Sequence, residues 1–162
     1  MVSLRDASPE DAGEMARIQS RALRAEGREH YTGEQLDRLA PPDPGPETIP
    51  DVEFTDDGRY TIVAEKDGDV VGWGSVHLEE GVLAATFVDP DHAGQEVGRT
   101  IVEDLETAAR AAGLETLVVP ASLNAVGFYE TLGFEPRDEI DAGGPDDPEI
   151  PAVELTKHLE GG

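Results

Sequence analysis

Cysteine is absent from this chain of 162 residues, and so is any long run of apolar residues. Without cysteine the chain has no disulfide, no thiolate metal site and no cysteine nucleophile. No segment approaches the roughly 18 apolar residues that a membrane helix requires, and residues 1–6 contain no apolar signal core. The 4 histidines show no metal-ligand spacing. We therefore expect a cytoplasmic protein that uses neither a metal ion nor a membrane.

Basic residues are scarce as well, and Lys66 and Lys157 are the only lysines. Asp and Glu number 36 against 12 Lys and Arg, which gives a formal net charge of -24. Because 38% of the residues are hydrophobic, this composition indicates a folded protein with an acidic surface and not a disordered segment. Such a surface disfavours a nucleic-acid partner. It suits a cytoplasm at molar salt, where the Debye length is about 3 Å, and the composition resembles that of proteins from salt-accumulating halophiles.

The length fits one domain covering residues 1–162, because single domains commonly have about 100 to 150 residues. Hydrophobic periodicity and turn residues predict strands at residues 2–5, 60–65, 70–78, 82–88, 117–119, 134–140 and 153–156. Capping residues and helical spacing predict helices from Ser8 (with Met15, Ile18 and Ala22 buried), from Thr32, at 97–112 and at 125–132. Proline-rich residues 41–50 and glycine-rich residues 143–148 are predicted to be loops.

A glycine-containing loop joins the predicted strand 82–88 to the predicted helix that begins at Val97. The loop reads Val88-Asp89-Pro90-Asp91-His92-Ala93-Gly94-Gln95-Glu96-Val97-Gly98. The first amides of a helix lack an intrahelical acceptor and carry the positive end of the helix dipole, so they can hold a phosphate group. A tight connection without a ligand fits the same pattern.

A second segment favours the phosphate site. It reads Pro120-Ala121-Ser122-Leu123-Asn124-Ala125-Val126-Gly127-Phe128-Tyr129-Glu130-Thr131-Leu132-Gly133-Phe134. In their order and spacing the two segments resemble the GNAT superfamily of acyl-CoA-dependent N-acyltransferases. The first is similar to that family's pyrophosphate loop, V-x-P-x-x-R-G-x-G-x-G, and the second to its asparagine- and Phe-Tyr-containing segment that closes on Gly-Phe. The resemblance in element order extends over about residues 2–134, while the specific motifs lie between Phe87 and Phe134.

This resemblance implies an α/β fold of the α+β type. The GNAT fold has a central mixed, mostly antiparallel sheet of about seven strands flanked by about four helices. The strands that correspond to 82–88 and 117–119 would be splayed, with acyl-CoA in the cleft between them. Backbone groups near Phe87 and Val88 would bind the pantetheine arm, because a splayed strand has unpaired donors and acceptors.

The resemblance also assigns a pyrophosphate site to Gly94, Gln95, Glu96, Val97, Gly98, Arg99 and Thr100. Two residues depart from the family pattern: Ala93 replaces the usual Arg or Gln, and Glu96 replaces a usual glycine. Glu96 adds a Cβ where close approach or positive φ is needed, and a carboxylate near two phosphates. Arg99 and Thr100 are candidate compensating donors, although Arg99 fits an ordinary solvated helix position equally well.

For the chemistry, the resemblance implies direct attack of an amine on the acetyl-CoA thioester. Tyr129 matches the tyrosine that protonates the departing thiolate, and its alternative role is that of a core aromatic. Asn124 is matched to an asparagine that bonds the pantetheine or nearby backbone, and it also suits a helix cap. No general base is identified. His30, Tyr31 and His77 are candidates for the substrate side of the cleft.

Two functions remain open. The first is an N-acetyltransferase that moves an acetyl group from acetyl-CoA to a primary amine of a small molecule or peptide. The second is a GNAT-fold binding or regulatory module with weak or no CoA binding, which Ala93 and Glu96 favour. We include a homodimer among the expected partners.

Overall fold

A computed structural model of the chain describes residues 2–27, 31–39, 45, 49, 58–92, 96–141 and 151–159. Within them lies a seven-stranded sheet formed by β1 Ser3–Asp6, β2 Arg59–Lys66, β3 Asp69–His77, β4 Val82–Val88, β5 Thr116–Ser122, β6 Glu135–Asp141 and β7 Pro151–His158. The described helices are α1 Ala12–Gly27, α2 Gly33–Leu39, α3 Val97–Ala111 and α4 Val126–Thr131. Short 3-10 turns occupy Pro9–Asp11, Pro90–His92 and Leu123–Ala125.

The strand order across the sheet is β1-β2-β3-β4-β5-β7-β6. β4 and β5 are parallel, and the other neighbouring pairs are antiparallel. This mixed sheet with helices on both faces confirms the fold class expected from the sequence. None of the helices in the described part of the chain is long and apolar enough to cross a membrane.

Helices cover both faces of the sheet because side chains alternate between the two faces along each strand. On one face, Trp73 of β3 packs against α1 and donates its Nε1 proton to the carbonyl of Met15 at 2.9 Å. On the other face, α3 buries Ile101 and Leu105 against β2 and β3. Close approach of α3 requires Gly74, since a Cβ there would lie 2.5 Å from Cγ2 of Ile101.

β5 and β7 are longer than their apolar segments predict. β5 continues through Pro120 and keeps its pairing with β7 from Thr116–His158 to Ser122–Ala152. The amide of Val118 donates to the carbonyl of Gly81, on the β4 side, at 2.9 Å. The backbone N–H and C=O groups of successive residues point to opposite sides of a strand, so those of residue 120, like those of Val118, are directed toward β4. The missing N–H of Pro120 therefore removes no hydrogen bond to β7.

The short helix predicted at 125–132 is present as α4 Val126–Thr131, and the 3-10 turn Leu123–Ala125 precedes it. The loop predicted at 143–148 and most of the loop predicted at 41–50 lie outside the described residues.

β4 and β5 diverge after a single point of pairing. Their register contains one Cα pair, Val82 with Val118, close to the start of β4. From there β4 stays paired with β3 as far as Val88, while β5 stays paired with β7. The divergence opens a wedge at the carboxyl ends of the two strands, as expected for the splayed pair.

Candidate active site

The wedge between β4 and β5 is a cleft of about 400 Å³. Its walls come from five elements of the fold and from the turn before the glycine loop. The lining residues of β4 are Ala84, Ala85, Thr86, Phe87 and Val88, and those of β5 are Val119, Pro120 and Ala121. The remaining walls are formed by Ala22 and Leu23 of α1, His92, Glu96, the first turn of α3, Ala125, and Phe128 and Tyr129 of α4. The cleft therefore brings the two sequence motifs together.

The open edge of β4 supplies backbone groups to this cleft. The amide of Asp89, just after β4, donates to the carbonyl of Val71 at 2.8 Å. Because backbone direction alternates, Phe87 points its backbone groups toward β3, while Thr86 and Val88 point theirs toward the cleft. Val88 thus fits the expected backbone role. Phe87 also lines the cleft, and its ring centroid lies 5.5 Å from that of Trp73.

Glu96 is the N-cap residue of α3 and has a left-handed backbone. Its φ is 64° and its ψ is 14°, and its side chain is exposed and makes no cap hydrogen bond. A left-handed conformation costs an L-residue roughly 1–2 kcal/mol. The prediction from the sequence that this position requires a positive φ is therefore confirmed.

Gly98 allows the start of α3 to approach α4. A Cβ at Gly98 would lie 3.0 Å from Cζ of Phe128 and 3.5 Å from Cγ2 of Val88. Val97 and Gly98 are both buried, and both line the cleft. The amide end of α3 is consequently held directly at the cleft wall.

The two candidate compensating donors differ in position. Arg99 is exposed and lines the cleft. Thr100 uses its hydroxyl within the helix, donating to the carbonyl of Glu96 at 2.9 Å, and it does not line the cleft. Ala93, Gly94 and Gln95 lie outside the described residues, so the structure assigns them no position.

Tyr129 lies in the core and also lines the cleft. Only 4% of the residue is exposed. Its ring packs edge-on against Phe128 and Phe134, with centroid distances of 5.1 and 5.6 Å. Burial raises the pKa of the Tyr129 phenol to about 12, and a hydrogen bond with the Thr86 side chain acts in the opposite direction. The phenol is therefore protonated at neutral pH, which is the state a proton donor requires.

The structure does not bring the substrate candidates Tyr31 and His77 to the cleft. The buried Tyr31 hydroxyl donates to the carbonyl of Pro151 at 2.6 Å and accepts from the amide of Leu123 at 2.8 Å. It thus joins the start of β7 to the turn after β5, and burial raises the pKa of its phenol. His77 ends β3 opposite Val82, at the far end of β4 from the open wedge, with Nδ1 3.4 Å from Glu80 Oε2.

Two further candidates have little or no structural description. His30 lies outside the described residues, as does the side chain of Asn124. The backbone of Asn124 belongs to the 3-10 turn that precedes α4, whose N-cap residue is Ala125.

Sequence reasoning missed several residues of the cleft wall. Leu23 sits beside the predicted buried stripe of α1, Pro120 was expected after the end of its strand, and His92 lies in the 3-10 turn Pro90–His92. His92 and Pro120 carried a sequence signal, because each lies inside one of the two motif segments. The position of Leu23 depends on how α1 is rotated over the sheet, which local patterns do not fix.

Residues 28–141 match the family model described as the acetyltransferase (GNAT) domain. The chain belongs to the GNAT acetyltransferase family. It is 32% identical over 104 residues to the IAA acetyltransferase of Azospirillum brasilense, a match that covers 60% of this chain and 63% of that protein. It is 43% identical over 61 residues to the peptidyl-lysine N-acetyltransferase YjaB of Salmonella typhimurium, covering 36% and 41% of the two chains. The matches thus span less than two thirds of either relative.

Solved structures agree with this assignment. The chain resembles a GCN5-related N-acetyltransferase from Rhodopseudomonas palustris with a TM-score of 0.84 and 26% identity, over 97% of this chain and 95% of that one. It also resembles the PaiA N-acetyltransferase of Thermoplasma acidophilum, solved in complex with coenzyme A, with a TM-score of 0.76 over 98% and 99% of the two chains. At 16% identity, the second likeness shows the shared fold alone.

Proposed function

We propose that this protein is an N-acetyltransferase that transfers an acetyl group from acetyl-CoA to a primary amine of a small molecule or a peptide. The observation that carries the proposal is the position of Tyr129. Its phenol, with a pKa raised to about 12, lines a cleft whose other walls are the open edge of β4 and the amide end of α3.

The residues of the cleft fit the parts of acetyl-CoA. Backbone groups of Thr86 and Val88 point into the cleft and suit the amides of a pantetheine arm. The first amides of α3 suit a pyrophosphate, and Arg99 adds a cation at the same end. The largely apolar walls exclude water from a thioester placed at the end of the pantetheine arm that is farther from the pyrophosphate.

The proposed reaction is a direct transfer. The amine nitrogen attacks the thioester carbonyl carbon, a C–N bond forms and the C–S bond breaks. The departing sulfur takes the proton of the Tyr129 hydroxyl, while the proton lost by the amine passes to water, from which Tyr129 is reprotonated. Burial favours the protonated phenol before each turnover.

Names of related proteins support an amine acceptor. They include a peptidyl-lysine N-acetyltransferase and an amino-acid acetyltransferase. We further propose that residues 1–162 form a single domain and that the protein works in the cytoplasm. The proposal includes no nucleic-acid or membrane partner, and it includes self-association as a homodimer.

The second candidate is a GNAT-fold binding or regulatory module that binds CoA weakly or not at all. Glu96 is the observation that favours it. A carboxylate beside the amide end of α3 repels phosphate, and the Cβ of Glu96 takes up space where the family pattern has a glycine.

Thiol release separates the two candidates. Purified protein in molar KCl would be incubated with acetyl-CoA and, in turn, a small primary amine, a lysine peptide and a peptide with a free α-amino group. Because the chain has no cysteine, a thiol reagent reports only the CoA that is released. The acetyltransferase proposal predicts amine-dependent release that Tyr129→Phe reduces. Release at the background rate with every acceptor, together with no binding of acetyl-CoA, would support the module.

A further inference from the structure

We infer that Arg21 of α1 is a positioning residue for the phosphate end of the cleft, acting through Asp89 and Asp91. The inference rests on the proposed function and adds a residue to it. Arg21 does not line the cleft, but it joins two of the cleft walls.

Asp89 is buried in a chain whose acidic residues otherwise largely form a solvated surface. It is 6% exposed, and a buried carboxylate is costly unless charge and hydrogen bonds compensate. Arg21 Nη1 donates to Oδ1 and Oδ2 of Asp89 at 3.0 and 2.9 Å. The amide of Asp91 also donates to Asp89 Oδ1, at 3.0 Å. Together these donors compensate the buried carboxylate.

Backbone hydrogen bonds tie the same residue to its neighbours. The Asp89 amide donates to Val71 of β3, and the Asp89 carbonyl accepts from His92 at 2.8 Å. Asp89 therefore joins the end of β4 to the 3-10 turn Pro90–His92, whose last residue lines the cleft. These hydrogen bonds of Asp89 therefore fix the turn relative to the end of β4.

Arg21 attaches this turn to α1. Its second nitrogen, Nη2, lies 3.3 Å from Asp91 Oδ2, so one guanidinium holds the residues on both sides of Pro90. The next two residues of α1, Ala22 and Leu23, line the cleft opposite β4. Arg21 thus fixes the α1 wall relative to the turn that leads to the amide end of α3. Lysine would not replace it, because an ammonium lacks the planar fork that reaches both carboxylates.

Arg17 provides a matched control. It lies one turn earlier on α1, carries the same charge and is similarly exposed, at 44% against 39% for the Arg21 side chain. Its close partner is Glu14 at 2.6 Å, and its nearest nitrogen is 4.0 Å from Asp89. Arg17→Met therefore removes a charge from the same surface and leaves the Asp89 hydrogen bonds in place.

The test compares wild type, Arg21→Met, Arg21→Lys and Arg17→Met in molar KCl. Three quantities are measured: KM and kcat with acetyl-CoA varied, the Kd of CoA, and hydrogen exchange at the amides of Asp91 and His92. Arg21→Met should raise KM and Kd by about tenfold, the fold-change that results when the free energy of the lost charge-assisted hydrogen bond is instead spent on ordering the turn during binding, and it should speed exchange in the turn. Its kcat should stay within about twofold, because the chemistry at Tyr129 is untouched.

The controls decide between positioning and simple stability. Arg21→Lys should raise KM, Kd and the exchange rates in the turn by smaller factors. This variant provides the test if Arg21→Met does not fold. Arg17→Met should leave KM, Kd and turn exchange unchanged. A lower melting temperature in the Arg21 variants with unchanged KM, Kd and exchange at Asp91 and His92 would overturn the inference. Wild-type protein that binds no CoA would overturn both the proposed function and this inference. If the wild type is active and the Arg21 variants have its KM, Kd and exchange rates, the inference alone is overturned.

Discussion

Gly98 of α3 and Phe128 of α4 lie so close that a Cβ on Gly98 would stand 3.0 Å from Cζ of Phe128. In the sequence they belong to two separate motifs, the glycine loop and the Phe-Tyr segment. In the fold they form one wall of the cleft between β4 and β5. The glycine therefore couples the amide end of α3 to the helix that carries Tyr129.

Gly98→Ala should weaken CoA binding. The added methyl displaces Phe128 or the start of α3, and overpacking of this kind costs about 1–3 kcal/mol. Gly127→Ala is the matched control, because Gly127 is also helical and a Cβ there meets nothing within 4 Å. Thermal melts and calorimetric titration with CoA should show a loss for Gly98→Ala alone. Equal CoA affinity in the two variants would contradict the close contact.

Glu96→Gly should tighten CoA binding, since it removes both a like charge and a Cβ at the N-cap of α3, where a phosphate would approach. Glu96→Gln separates the two causes, because it removes the charge and keeps the Cβ. The gain from Glu96→Gln should disappear between 0.1 and 2 M KCl as the Debye length falls from about 10 Å to below about 3 Å. The gain from Glu96→Gly should persist in part. If neither variant binds CoA more tightly than wild type at any salt concentration, Glu96 does not belong to the pyrophosphate site.

Tyr129→Phe should lower kcat by about 10²-fold or more, with KM for acetyl-CoA within about twofold. The wild-type rate should not fall through ionisation of Tyr129 below about pH 10, because burial raises its pKa from 10.0 to about 12. Steady-state rates between pH 6 and 10 test both statements. A variant with normal turnover and only a small change in melting temperature would leave Tyr129 a packing residue.

The same pKa shift predicts how stability depends on pH. Below about pH 10 the phenol is protonated in both the folded and the unfolded chain, and the stability linked to its raised pKa is fully present. Between about pH 10 and 12 the unfolded chain loses this proton first, so folded stability declines as pH rises. Urea titrations across this range should show a smaller decline for Tyr129→Phe than for wild type.

Much of the fold follows from local patterns. Strand alternation and helical spacing located the described strands and helices, and the glycine loop and the Phe-Tyr segment located the cleft. The positive φ at Glu96 followed from its place in the loop motif. Strand ends were less predictable. β5 can continue through Pro120 because the proline nitrogen faces the cleft and not β7, and this orientation depends on the register of β5 with β4 and β7.

Contacts between distant segments account for side-chain positions that the sequence did not predict. Tyr31 was a candidate for the substrate side, and in the structure its hydroxyl binds Leu123 and Pro151, which are 92 and 120 residues away in sequence. Arg21 and Asp89 are separated by 68 residues. Such pairs depend on how helices and loops are placed over the sheet, and no short pattern encodes that placement.

We propose that the acidic surface is an adaptation to high salt. The chain has 36 acidic residues against 12 basic ones, so its carboxylates repel one another. Molar KCl screens this repulsion, and 0.1 M KCl screens it much less. Urea unfolding should therefore show a lower free energy of unfolding at 0.1 M KCl than at 2 M KCl. The loss should shrink near pH 4.5, where carboxylates begin to protonate. Unchanged stability across this salt range would contradict the adaptation.

Stabilisation by acetyl-CoA is the most direct test of the cleft as an acyl-CoA site. A ligand at about 100 times its Kd stabilises the folded state by about 2.7 kcal/mol, which for a domain of this size raises the melting temperature by roughly 5–10 °C. Melts in 2 M KCl would compare acetyl-CoA with an equal concentration of ATP, an anionic nucleotide without the pantetheine arm. We predict a rise that depends on the acetyl-CoA concentration and greatly exceeds the rise with ATP. A folded protein whose melting temperature is unchanged by millimolar acetyl-CoA, or moves equally with ATP, would contradict the account.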